Sequence, residues 1–90
     1  MRLSWDETKR QATLAERGLD FADAGKVLMG SQYTRLDERR NYGEVRNITA
    51  GYLDGRFVVI TWTPRDGGHR IISMRYGHGQ EEAGYQKRMD

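Results

Sequence analysis

The chain has 90 residues, 15 Lys and Arg against 13 Asp and Glu, and a formal net charge of +2, which is the length of one domain with one modest core. Cysteine is absent, so disulfides, a thiolate zinc site and a cysteine nucleophile are excluded; two histidines without HExxH or EF-hand spacing predict no metal and no cofactor. No apolar run approaches a membrane span, and MRLSWDETKR has no hydrophobic stretch after its first basic residue, so a cytoplasmic protein without a signal peptide or membrane contact is expected.

Ser4-Trp5-Asp6-Glu7 reads as a helix start. Ser4 with Glu7 fits a capping box, and Asp6 competes as the N-cap. The first helix is expected over residues 7–17 and stopped by Gly18. Its apolar positions are few, so Trp5 serves as the anchor at this end. Asp20 caps a second helix, with Leu19 ahead of it as a hydrophobic staple. Phe21, Ala24, Val27 and Leu28 fall on one face of that helix, and Gly30 ends it.

After Gly30 the hydrophobic period changes. Residues 31–36 read as a short strand, and 37–43 as a polar loop whose mixed charges form a solvated face. Residues 46–53 read as a strand, and Asp54-Gly55 as a tight hairpin turn. Residues 56–63 form the clearest strand: Val58, Ile60 and Trp62 share one face, Phe57, Val59 and Thr61 the other, so it is central. Residues 64–68 are a turn and 69–76 the last strand. Gly77-His78-Gly79 breaks it, and a final helix runs from Gln80 to the end, weakened at Gly84 by about 1 kcal/mol relative to Ala. The order α-α-β-β-β-β-α predicts an α+β fold: two N-terminal helices, a four-stranded antiparallel meander and a C-terminal helix, with the helices on one face of the sheet.

Arg65, Arg70 and Arg75 punctuate the stretch PRDGGHRIISMR, and His78, Glu81, Glu82 and Tyr85 follow it. Of the fifteen basic residues only Lys9, Lys26 and Lys87 are lysines. Arginine presents a planar fork that matches phosphate, so cations beside groups able to move a proton suit a phosphodiester. Alternation sets Arg70 with Ile72 and Met74, and Arg75 with Ile71 and Ser73. On a flat strand the two arginines point to opposite faces. Either one is structural, or a bulge or edge position brings them together. Each candidate also has an ordinary role: a surface ion pair for the arginines, a loop histidine in solvent for His78, a favourable first-turn carboxylate for Glu81, and packing of the last helix on the sheet for Tyr85.

Three stretches carry a resemblance. Trp5-Asp6, Lys9, Gly18, Phe21 and Ala24 form the first; Asp54-Gly55-Arg56, the apolar strand to Thr63 and Arg65 form the second. The third is Arg70-Ile71-Ile72-Ser73-Met74-Arg75, with Glu81 and Tyr85 at a fixed spacing after it. In order, spacing and length the chain resembles the BrnT family, the small ribonuclease toxins of a bacterial type II toxin–antitoxin system, over nearly its whole length. It departs from the family at Arg17-Gly18, where His-Gly is frequent, and at His78, where a hydroxyl residue caps the last helix over Glu81.

The resemblance implies a RelE-like fold, cleavage of cellular RNA and inhibition of translation and growth. It also implies a ribbon–helix–helix antitoxin (BrnA-like) as partner, with operator DNA reached only through that antitoxin. RNA is cut without metal when its 2′-hydroxyl attacks the neighbouring phosphate, which needs positive charge on the phosphorane and groups that move protons. Arg75, Arg70 and Arg65 are the candidates for the charge, with Arg75 foremost as the one nearest Glu81 and Tyr85. His78, Glu81 and Tyr85 are the candidates for proton transfer and substrate contact. The alternative is a catalytically weak binding module that holds an antitoxin and modulates its operator binding, and a third reading is an RNA-binding protein that is not a toxin. A small core and an exposed sheet edge point to a homodimer or a toxin–antitoxin heterotetramer.

Overall fold

The computed structural model describes residues 1–90. In chain order it has β1 (Leu3–Trp5), α1 (Glu7–Arg17), a 3₁₀ turn (Phe21–Asp23), α2 (Ala24–Leu28), β2 (Gln32–Leu36), β3 (Asn47–Leu53), β4 (Arg56–Arg65), β5 (Gly68–Tyr76) and α3 (Gly79–Met89). The strands form one sheet in the order β1-β5-β4-β3-β2. β2 to β5 make an antiparallel meander, and β1 lies parallel to β5, so the sheet is mixed and five-stranded.

This arrangement corrects the expectation of two N-terminal helices, four antiparallel strands and a C-terminal helix in three respects. First, Ser4 is a strand residue rather than a cap: Leu3, Ser4 and Trp5 pair with His69, Arg70 and Ile71. Asp6 takes the cap, its side chain accepting from the Lys9 N–H at 3.2 Å. A three-residue strand whose partner lies more than sixty residues away leaves no local pattern to read. Second, the expected second helix shrinks to the 3₁₀ turn and the five-residue α2. Arg10 grips Asp20 with two bonds of 2.7 and 3.0 Å and draws this segment onto α1. Phe21, Ala24, Val27 and Leu28 are buried all the same, because tertiary packing and not helix length decides their environment.

Third, helices cover both faces of the sheet. On one face Leu19, Phe21, Ala24, Val27 and Leu28 pack against Leu53, Val58, Ile60, Ile71 and Met74. On the other, Tyr85 of α3 packs with Ile48, Phe57 and Val59. The two-sided apolar pattern of β4 follows from this, since each of its faces meets a different helical layer. β4 also reaches Arg65 and β5 starts at Gly68, which leaves Asp66-Gly67 as a two-residue turn with φ of 52° and 75°.

Candidate active site

β5 positions the arginines, and a bulge decides where they point. Thr61 pairs with Ser73 and Trp62 with Ile71, so Ile72 has no cross-strand partner. The extra residue resets the alternation: Ile71 and Met74 both enter the core under α1 and α2. Arg70 pairs with Thr63 and Arg75 with Val59, residues of the same parity on β4. Both arginines therefore lie on the α3 face, roughly 15 Å apart along the strand. Arg35 of β2 pairs with Ile48 and belongs to this face as well. Strand alternation alone does not single it out from the sequence.

At the start of α3 three of the predicted residues meet. Glu81 binds Arg75 through both oxygens, at 2.8 and 2.7 Å. It also accepts from the His78 backbone N–H at 3.1 Å, while His78 Nδ1 accepts from the Glu81 N–H at 3.3 Å. The two residues form a reciprocal capping box, so the imidazole does here what a hydroxyl does in an ordinary cap. An accepting Nδ1 leaves the ring proton on Nε2. Nε2 stands 3.5 Å from a Glu81 oxygen, and the histidine side chain is 65% exposed. The Arg75 guanidinium lowers the Glu81 pKa from 4.5 to about 2, assisted by the backbone N–H of His78. Glu81 in turn holds the guanidinium more firmly protonated, against burial and the charge of Arg39.

Tyr85 is not at the surface with them. It is buried, its hydroxyl donates to the Ser31 carbonyl at 2.9 Å, and its ring meets Tyr52 and Phe57 at centroid distances of 5.6 and 5.4 Å. It pins α3 to the start of β2. Beside it lies a groove of about 190 Å³ between α3 and the sheet, lined by Tyr33, Arg35, Ala50, Val59, Glu81 and Gly84 among others.

Arg65 and Arg70 belong to a second place, a polar hollow of about 180 Å³ that they share with Asp6, Lys9, Glu44 and Arg46. Glu44 lies 3.2 Å from Arg46 and 3.5 Å from Arg65, whereas Arg70 has no ion-pair partner. Lys9 is brought here by the first turn of α1, beside its cap Asp6. The six predicted residues thus divide: Arg75, His78 and Glu81 cluster, Tyr85 lies beneath, and Arg65 and Arg70 stand at the other end of the strand.

The loop between β2 and β3 is not a solvated face as a whole. Asp37 is buried, with Arg39 bonded to it at 2.8 and 2.9 Å and the Tyr42 hydroxyl at 3.0 Å. The Arg39 guanidinium holds the Asp37 pKa well below the ordinary carboxylate range. Arg46 lies 4.1 Å over the Tyr42 ring, so the loop is tied back to β3. Glu38, Arg39 and Arg40 do face solvent, and within that exposed run Asp37 alone turns inward under an exposed Arg39.

No group of three or more His, Asp or Glu side chains is placed to hold a metal ion, and no helix is long and apolar enough to cross a membrane. The family model described as "Ribonuclease toxin, BrnT, of type II toxin-antitoxin system" matches residues 5–81 of the chain. No curated protein matches it in sequence.

Proposed function

This chain belongs to the BrnT family of ribonuclease toxins of type II toxin–antitoxin systems, and from that premise we propose that it is a metal-independent endoribonuclease whose substrate lies across the α3 face of the sheet. Its family implies an RNA target and a protein antitoxin. The observation that carries the mechanism is the β5 bulge, which aims Arg70 and Arg75 at one face.

Arg75 is the phosphate-binding group closest to the chemistry. Glu81 engages one N–H of each terminal nitrogen and fixes the plane of the guanidinium, which leaves N–H groups for the non-bridging oxygens. Glu81 is a positioning residue: with its pKa held at about 2 and both oxygens engaged, it is a poor proton acceptor. The 2′-oxygen attacks phosphorus as its proton passes to water, and the bond to the 5′-oxygen breaks as His78, in its imidazolium form and with Nε2 exposed beside that carboxylate, gives that oxygen a proton. Arg70 and Arg65, with Lys9, hold a phosphate further along the strand in the polar hollow. Tyr85 supports α3 and keeps Glu81 in place. The partner is a ribbon–helix–helix antitoxin, in a heterotetramer that acts on operator DNA through the antitoxin, and the site of action is the cytoplasm.

The test is cleavage of total RNA in excess EDTA. The parent is expected to cut. Arg75→Ala is expected to lose on the order of 10²–10³ in rate, the effect of removing a donor to developing negative charge. A well-folded parent that leaves RNA intact supports a binding module in place of an enzyme.

A further inference from the structure

The groove beside α3 is an unusual feature on this face. Its floor is apolar, made by Ile48, Ala50, Phe57 and Val59, while its rim carries Arg35 and Glu81. At about 190 Å³ it is smaller than the roughly 300–1,000 Å³ of clefts that take drug-sized ligands, which suits one ring system rather than a whole nucleoside. Gly84 lines it from the middle of α3, and a Cβ built there meets nothing within 4 Å. A glycine inside a helix costs stability, and its missing side chain is what leaves the groove open.

We propose that this groove seats one nucleobase of the RNA, guanine in preference to the others. The inference rests on the ribonuclease reading and adds its specificity subsite. Two features select the occupant. Arg35 on the rim has no ion-pair partner in the structure, and Arg75 is within reach of the same Glu81 that borders the groove. A base entering between Tyr33 and α3 therefore brings its own phosphate toward Arg75, where the charge is complementary. The flat apolar floor suits a π-face, as in other single-strand sites. The Arg35 fork matches the paired acceptors O6 and N7 of guanine, which no other base presents together.

Guanosine, adenosine, cytidine and uridine 5′-monophosphates are each titrated into the full chain, and backbone amide shifts are followed. Shifts centred on Ala50, Gly84 and Tyr85, largest with the guanosine nucleotide, are expected. Gly84→Leu, whose side chain fills the groove, is expected to weaken that binding roughly ten- to hundredfold. Gly84→Ala serves as the folding control, since its methyl meets open space and α3 gains stability. Equal shifts with all four nucleotides overturn the proposal. So does an absence of shifts in the groove, which then fits an apolar side chain of a protein partner. Mapping of the cut sites separates the two readings. Cleavage by the parent beside guanosine, with the preference lost in Gly84→Leu, supports both. Cleavage with no base preference removes the subsite and keeps the ribonuclease. Guanosine nucleotide in the groove without any RNA cleavage removes the ribonuclease and keeps the subsite.

Discussion

Glu81 is the residue on which the site turns. Its Oε1 closes the capping box of α3, and Oε1 and Oε2 together orient Arg75. The dual engagement sets a pH dependence. Its pKa is depressed from 4.5 to about 2, so the stability it contributes is complete above about pH 4.5 and is lost as the pH falls toward 2. Glu81→Gln is expected to lower stability at pH 7 by about 1 kcal/mol, a modest figure because Arg75 is half exposed. The gap to the parent closes near pH 2, and urea midpoints across that range measure it. Tyr85 is read differently by the structure than by its spacing. Its hydroxyl serves the Ser31 carbonyl, so Tyr85→Phe removes a part-buried hydrogen bond and is expected to cost about 1 kcal/mol in a thermal melt. The sequence shows both residues as candidates. It does not show which one faces solvent, because that depends on the roll of α3 against a sheet whose own face is set elsewhere.

At the scale of elements, the bulge and the end of β5 matter most. The alternation of RIISMR leaves two outcomes open, and the unpaired Ile72 decides that Arg70 and Arg75 share one face, though at opposite ends of the strand. A bulge is a property of a strand pair: β4 must be in register on both sides of it, so one strand's sequence cannot declare it. Beyond the bulge β5 ends at Tyr76, and at Gly77 the chain passes against β4. A Cβ there would lie 2.4 Å from the Phe57 ring. Gly77→Ala is therefore expected to destabilise the protein by about 1–3 kcal/mol and to disturb the start of α3, seen as a lower melting temperature together with weaker RNA cleavage. The elements themselves are largely legible. α1 spans the expected residues, its stop at Gly18 has the left-handed φ of 69°, and the Asp54-Gly55 hairpin joins β3 and β4. These rest on caps and turn chemistry, which are local. β1 and the shortening of α2 rest on partners outside their own segments and were not legible; the partners of Asp37 are local, but its burial does not show in the composition of the loop.

Across the whole molecule, one sheet separates two functions of its faces. The α1–α2 face is buried core, and the α3 face is half covered and half open, with Arg35, Arg70 and Arg75 on it. If the substrate lies there, binding depends on salt through these arginines. Each phosphate neutralised contributes about −0.7 to the slope of log affinity against log salt for a single strand. Arg75→Ala is expected to flatten the slope by about that amount, measured with a 2′-deoxy oligonucleotide that the 2′-hydroxyl route cannot cut. The amino-acid sequence by itself determined the class of element at most positions, the central place of β4, the arginine-rich stretch and the family. It could do so because hydrophobic period, capping residues, turn pairs and motif spacing are properties of neighbours in the chain. Tertiary structure alone decided that the sheet is mixed, that helices cover both of its faces, that a bulge aligns two arginines, and that Glu81 binds one of them. Those depend on pairings between residues far apart in sequence, where burial and register rather than local preference set the free energy.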